Sequence, residues 1–218
     1  MNETEPLLLD NHLLVLDKPW GLLTQPSGTD EDSLEAQGKA FLKARFAKPG
    51  AVFLEAVHRI DRCVGGAVLF ARTSKALTRL GAAQRESAIA KTYRALVCGI
   101  PHAQEGELED WLVHDEHIAR IARARAADAR VCRLHWRLLE TRPGDRALLE
   151  IDLETGRYHQ IRAQLAHAGW PIVGDRKYGA PAEGNGAPPN GIALVSWSIA
   201  FPHPVTHERV TVTTRLHL

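Results

Sequence analysis

The sequence predicts an α+β fold built around a mixed, largely antiparallel sheet that is flanked by helices. Apolar segments typical of strands outnumber segments with helical periodicity, and the two kinds do not alternate regularly along the chain. With 218 residues, 44% of them hydrophobic, the chain can bury one large core or two smaller cores that share a cleft. We expect one domain over 1–218.

The elements are predicted from periodicity and from turn residues. Helices are expected at 33–46, 74–85 and 158–168, and Gly169 closes the last of them. The Gly- and Pro-rich segment 180–190 is expected to be an exposed loop. Strands are expected at 7–9, 13–16, 52–57, 67–70, 92–98, 132–139, 148–153, 192–201 and 210–214.

Composition limits the cellular setting and the kind of site. The chain has no apolar run of about 18 residues, and its start is acidic where a secretory signal would be basic and then apolar. We therefore expect a cytoplasmic protein with no membrane anchor. The three cysteines, Cys63, Cys98 and Cys132, are far apart in sequence, so they suggest neither a disulfide framework nor a clustered zinc site.

Charge is unevenly distributed along the chain, although the net charge is only +1. Residues 1–35 carry −7, which leaves +8 for the remainder. The stretch Arg120 to Arg137 holds six arginines opposed only by Asp128, and 72–94 is a second basic stretch. Such clusters suit a phosphate backbone as partner, and the alternative is a pair of solvated faces balanced by the acidic segment.

One short segment concentrates ionisable side chains. Within five residues it contains His58, Arg59, Asp61 and Arg62. The glycines that follow, Gly65 and Gly66, permit tight turning and close approach of a ligand. Positive charge on both sides favours the ionised form of Asp61, and an ionised carboxylate can act as a nucleophile. The alternative is an aspartate that only forms a salt bridge in a surface turn.

A second segment leads from Gly156 into a predicted helix whose first turns present His159 and Arg162. Helix starts favour anions, and Arg162 can clamp a carboxylate such as Asp61 or a phosphate of a nucleic acid. The alternative is a surface arginine whose stem covers apolar area.

Tyr93 lies on a predicted strand, where strand alternation places it on the same side as Lys91. A tyrosine at the floor of a cleft can stack on an extruded base while its hydroxyl contacts polar groups. The alternative is an ordinary core residue.

These segments, in their order along the chain, resemble the RluA-type branch of the pseudouridine synthases. The resemblance covers nearly the whole chain, and several ordered motifs are more specific than any one of them. Segment 17–21 resembles the family's Lys-Pro-x-Gly loop, and His58-Arg59-Ile60-Asp61-Arg62 resembles its His-Arg-Leu-Asp-Arg signature. Segment 67–73 is similar to the strand after the signature, 91–93 to the tyrosine motif and 156–162 to the Gly-Arg-x-His-Gln-x-Arg motif, and segment 171–179 completes the series.

The resemblance implies an RNA pseudouridine synthase that uses no cofactor and no metal, with its active-site cleft across the sheet. It implies that Asp61 is the nucleophile, that Tyr93 packs against the target base and that Arg162 pairs with Asp61. It also suggests that Arg59 enters the RNA as the uridine leaves its stack. We expect a monomer that acts on structured ribosomal or transfer RNA.

The predicted pattern begins almost at the start of the chain, so we expect no S4-type RNA-binding domain. The catalytic domain itself must then hold the RNA, and the arginine-rich stretch is the expected surface. Further RNA contacts are expected from His58, Arg62, His159, Arg123 and Arg125.

The loop after Asp61 departs from the commonest family pattern, which continues Asp-Thr-Ser-Gly after the second arginine. This chain has Cys63-Val64-Gly65-Gly66 instead. We expect Cys63 and Val64 to pack as apolar side chains, and the alternative is a reactive Cys63 thiol.

Three other functions are alternatives. A metal-free RNA phosphodiesterase would use His58 and His159 as acid and base with Arg162 on the phosphate, but it leaves Asp61 and Tyr93 without a role. A non-catalytic RNA-binding module is the second rival, because a fold alone does not establish a function. The third is a metal site at His114 and His117. Two histidines three positions apart, with no other ligand near them in the sequence, are more often surface residues.

Overall fold

The computed structural model describes residues 5–28, 32–123, 126, 128–181 and 186–218. This part of the chain forms two compact units, Met1–Ala90 with Ser196–His217 and Lys91–Val195 with Leu218. The assignment of 1–218 to one catalytic domain stays a prediction. None of the described helices has the length and apolar composition needed to cross a membrane.

The described elements are three α-helices, a short 3-10 helix and eleven strands. The helices are α1 Leu34–Arg45, α2 Ser74–Arg85 and α3 Gln160–His167, and the 3-10 helix is Arg176–Tyr178. The strands are β1 Leu8–Leu9, β2 Leu13–Lys18, β3 Glu55–Ala56, β4 Gly65–Ala71, β5 Ala90–Cys98, β6 Glu105–Asp115, β7 Ile118–Ala122, β8 Arg130–Arg142, β9 Arg146–Leu153, β10 Leu194–Pro202 and β11 Arg209–Thr213.

The first unit contains a sheet in the order β1-β2-β4-β10, with β3 paired to β4 and β11 to β10. Every residue of β4 is buried, as the continuous apolar run at its centre predicts. Helix α2 begins after Thr73, whose hydroxyl accepts a hydrogen bond from the Ala76 backbone N–H. Its Ala76 and Leu80 join Leu69 and Phe201 in one apolar core, which fixes the helix against β4.

The second unit contains strands in the order β5-β9-β8-β6-β7, each antiparallel to its neighbour. Helix α3 packs on this sheet through Ala163, which lies in an apolar cluster with Leu112, Ala119 and Cys132. Burial raises the pKa of the Cys132 thiol to about 11, so this cysteine is an inert packing residue. The prediction of an α+β fold around a largely antiparallel sheet is confirmed.

The described elements differ from the predicted ones in three places. The predicted strand at 52–57 is reduced to β3, two residues long. Strands β6 and β7 were not predicted, because β6 carries glutamates, which are depleted in strands. Helix α3 begins at Gln160 rather than at 158, since His159 has left-handed backbone angles of φ 52° and ψ 22°. Residues 182–185 of the predicted exposed loop lie outside the described residues.

Candidate active site

Asp61 lies in the loop that connects β3 to β4, half-buried between Ile60 and the residues that follow. Ile60 and Val64 are buried, whereas Arg59 and Arg62 are exposed. The Val64 backbone N–H donates to the Asp61 carbonyl at 3.0 Å, which closes a turn at the aspartate. Val64 therefore packs as predicted, and its neighbours hold the Asp61 backbone in a compact turn.

Lys18 anchors the loop that carries Asp61. The sequence did not predict this role. Its side chain is fully buried, and Nζ donates to the carbonyls of Pro19 at 3.1 Å, Leu22 at 2.6 Å and Arg62 at 3.1 Å. Burial lowers the pKa of Lys18 to about 8, opposed by attraction to the Cys63 and Asp61 side chains. One ammonium thus joins the loop after β2 to the loop that carries Asp61.

Two further contacts tie the same loops together. The Gly21 backbone N–H donates to the Arg62 carbonyl at 2.8 Å, and Arg62 Nε donates back to the Gly21 carbonyl at 2.9 Å. The Thr24 hydroxyl donates to the Ile60 carbonyl at 2.9 Å and accepts from the Ile60 N–H at 3.3 Å. With backbone held on both sides of it, Asp61 has little freedom to move.

The two glycines after the loop serve packing. A side chain on Gly65 would place its first carbon 2.7 Å from the Trp20 ring. Gly66 has φ +117°, and a side chain there would clash with the Ser196 backbone. In the described contacts, both glycines therefore allow close approach of other parts of the protein, rather than of a ligand.

His58 is buried at the start of the loop. Its Nε2 accepts a hydrogen bond from the Leu69 backbone N–H at 3.1 Å, so this nitrogen is unprotonated. Protonation of Nε2 would break the bond that holds the loop to β4. The geometry therefore disfavours His58 Nε2 as the acid or base of a phosphodiesterase, and the predicted contact of His58 with RNA stays a prediction.

In the second unit, Tyr93 lies on β5 opposite Ile151 of β9 and is buried. Thr92, which faces the other side of the strand, donates from its hydroxyl to Asp152 at 2.8 Å. The predicted alternation along this strand therefore agrees with the described contacts.

Arg162 is buried on α3 and forms a bidentate ion pair with Asp175. Nε donates to Oδ2 at 2.7 Å, and Nη2 donates to Oδ1 at 2.9 Å. The guanidinium also lies over the Tyr178 ring, 5.0 Å from its centroid. Sequence reasoning placed Asp175 within the segment 171–179 but gave it no role.

His159 connects α3 to the same tyrosine. Its Nδ1 lies 2.9 Å from the Tyr178 hydroxyl, and that hydroxyl accepts from the Ala119 backbone N–H at 2.8 Å. The His159 ring stacks on Tyr158 with centroids 3.8 Å apart. His159 and Arg162 thus both contact Tyr178.

Three arginines of the arginine-rich stretch form ion pairs with carboxylates among the described residues. The three described pairs are Arg120 with Asp115 at 2.9 Å, Arg133 with Glu109 at 2.5 Å and Arg137 with Glu150 at 2.6 Å. Arg123 is exposed, and Arg125 lies outside the described residues. The expectation that this stretch, with Arg123 and Arg125, holds the RNA stays a prediction.

His114 and His117 are the residues of the alternative metal site. Both residues are exposed, and the His114 ring packs on Tyr158 with centroids 4.3 Å apart. Within the described ranges, no three His, Cys, Asp or Glu side chains are grouped so that they could hold a metal ion.

Solved structures with the same fold define the class of protein. Human RNA pseudouridylate synthase domain containing 4 superposes with a TM-score of 0.81 at 21% identity, covering 97% of this chain and 88% of that one. Human RNA pseudouridylate synthase domain containing 1 gives 0.78 at 21% identity, covering 99% and 85%. The protein therefore has the pseudouridine synthase fold.

Sequence comparison defines the family. The RNA pseudouridylate synthase family profile matches residues 12–167, and the chain belongs to this family. Ribosomal large subunit pseudouridine synthase D of Pseudomonas aeruginosa is 31% identical over 208 residues, which are 95% of this chain and 62% of that protein. An uncharacterized RNA pseudouridine synthase of Chloroflexus aurantiacus is 38% identical over 168 residues, 75% of this chain and 51% of that protein. The chain thus matches between half and two thirds of the length of these relatives.

Proposed function

We propose that the protein is an RNA pseudouridine synthase that isomerises specific uridines in structured RNA, with Asp61 as the nucleophile. The observation that carries the proposal is the loop of Asp61, which buried Lys18 holds through the Arg62 carbonyl. Further support comes from the family match over residues 12–167, which spans Asp61, Tyr93 and Arg162.

The isomerisation of uridine requires a group on the enzyme that can attack the nucleotide and then leave it. Uridine must lose the bond between N1 and the ribose, turn within the pocket and rejoin through C5. A carboxylate can do both, whether it attacks the ribose C1′ or the base. C5 then loses a proton and N1 takes one up, and we assign the removal from C5 to Tyr93 or to a water that Tyr93 holds. The isomerisation conserves all atoms and is redox-neutral, so the proposal includes no cofactor and no metal.

The remaining roles follow from how a base is reached within structured RNA. The target uridine is extruded from its stack, and Tyr93 packs against it. Arg59, exposed beside Asp61, enters the space that the uridine leaves. The pairing of Arg162 with Asp61 stays a prediction of the family resemblance. His58, Arg62 and His159 are proposed to contact the RNA around this site.

The substrate is proposed to be ribosomal or transfer RNA, held by the catalytic domain itself through Arg123 and Arg125. A relative named for the large ribosomal subunit favours ribosomal RNA. We place the protein in the cytoplasm and propose that it acts as a monomer.

Tritium release tests the proposal. The protein is incubated with transcripts of ribosomal and transfer RNA that carry tritium at C5 of uridine, with and without a chelator. We expect tritium in the solvent, intact RNA strands and no effect of the chelator. Strand cleavage would select the phosphodiesterase, and silence on every cellular RNA would select the non-catalytic binding module.

A further inference from the structure

Lys91 and Tyr93 lie two positions apart on β5, so their side chains leave the same side of the strand. The distance between such positions is roughly 6.6 Å along the strand. Thr92, between them, points to the opposite side, where it contacts Asp152. The Lys91 ammonium therefore belongs to the side of the strand on which Tyr93 is proposed to hold the base.

The ammonium of Lys91 lies over a glycine. A side chain on Gly156 would place its first carbon 3.5 Å from Lys91 Nζ, so bare backbone faces the charge. Gly156 opens the segment that leads to His159 and Arg162. The lysine is thus beside a second motif of the proposed site as well as on the strand of Tyr93.

The surroundings of Lys91 differ from those of Lys18, the other lysine that burial perturbs. Burial lowers the pKa of Lys91 from its ordinary value. Lys18 donates to three carbonyls, whereas no hydrogen bond or ion pair of Lys91 Nζ is found among the described residues. A partly buried ammonium that lacks acceptors from the protein is costly, and an anionic ligand would remove that cost.

We propose that Lys91 binds a phosphate group of the RNA strand beside the nucleotide held at Tyr93. This assignment rests on the proposed function, since RNA is the partner that brings phosphates to this site. A compact ammonium suits a phosphate oxygen as a point charge. The lysine would therefore set the register of the strand while Tyr93 positions the base.

The test uses binding rather than turnover. Lys91→Met and Lys91→Gln remove the charge, and Lys48→Met is the control, because Lys48 is an exposed lysine of the other unit. Binding of a fluorescein-labelled oligouridine is followed by fluorescence anisotropy over a series of salt concentrations. Loss of one phosphate contact should weaken binding about tenfold and reduce the slope of log K against log salt by about 0.7.

Thermal unfolding separates this role from a structural one. We expect the melting temperatures of both Lys91 variants to equal or exceed that of the wild type, because a costly buried charge is removed. Equal salt slopes in the wild type and the Lys91 variants would overturn the proposal. A lowered melting temperature with an unchanged salt slope would also overturn it, because Lys91 would then only stabilise the fold of the Gly156 segment. If the wild type binds oligouridine but releases no tritium from any transcript, the proposed function fails while the phosphate contact stands.

Discussion

Arg162 and Asp175 form a buried bidentate ion pair, with side-chain exposures of 7% and 1%. The pair uses two of the five N–H donors of the guanidinium and fixes its plane. The direction of the other donors is then set by α3 and Asp175, rather than by a mobile side chain. Arg162 is consequently a rigid element of the second unit.

Asp175→Asn should destabilise the protein strongly, because it removes the carboxylate charge that accepts two hydrogen bonds from the buried Arg162 guanidinium. We expect the free energy of unfolding to fall by about 3–5 kcal/mol in urea denaturation. The matched control is Asp115→Asn, which removes the partner of Arg120 from an exposed pair and should cost less than about 1 kcal/mol. Equal losses in the two variants would mean that burial does not set the strength of the Arg162 pair.

Asp61→Asn should abolish tritium release, because the amide keeps the size of the side chain but loses the nucleophilic carboxylate. RNA affinity should stay within a few-fold of the wild type, since Lys18 and Thr24 hold the backbone of the loop on both sides of Asp61. Asp32→Asn, at an exposed aspartate of the same unit, should keep full activity. Substantial turnover by the Asp61 variant would make the assignment of the nucleophile wrong.

Lys18 should make stability depend on pH in the alkaline range. Its pKa is about 8 in the folded protein, and an unfolded lysine has a pKa of about 10.4, so the unfolded chain binds the proton more tightly. The cost of burying the charged form is present in full below about pH 8, and it is lost as the pH rises towards the unfolded value.

The measurement compares the unfolding free energies of the wild type and Lys18→Met across that range. The difference should shift in favour of the wild type by about 1 kcal/mol per pH unit between about pH 8 and about pH 10. Other titrating groups cancel in this comparison because both proteins contain them. A difference that stays constant over the range would refute the depressed pKa of Lys18.

Neutralising Arg123 and Arg125 to Gln should weaken RNA binding and flatten its dependence on salt. The control replaces Arg133 and Arg137, whose guanidinium groups already pair with Glu109 and Glu150. Because those two arginines are compensated within the protein, their removal should leave the salt slope unchanged. The opposite result, with the slope altered only by the control substitutions, would move the RNA surface onto the sheet.

Several elements were predictable because local signals agree with one another. Helix α2 spans the predicted residues, since Thr73 caps it and Ala76 and Leu80 recur on its buried side. Strand β6 was missed because its glutamates argue against a strand, and pairing with β8 stabilises it nonetheless. Cross-strand partners such as Arg133 opposite Glu109 supply what the local sequence lacks.

The candidate site divides in the same way. The ordered motifs predict the family, and they single out Asp61, Tyr93 and Arg162 as its site residues without any coordinates. They do not name Lys18 as the anchor of the Asp61 loop or Asp175 as the partner of Arg162. These contacts join residues that are 44 and 13 positions apart, so neither helical nor strand periodicity relates them.

The sequence by itself determined the family of this protein, the residues proposed for its chemistry and most of its helices and strands. Only the tertiary structure decided which charges are available to a ligand. Arg133 and Arg137 look like free cations along the chain, yet neighbouring strands bring carboxylates against them. The physical reason is that the interaction between two charges depends on the distance between them, and folding sets that distance. The net charge of a segment therefore does not reveal which carboxylate lies opposite each arginine.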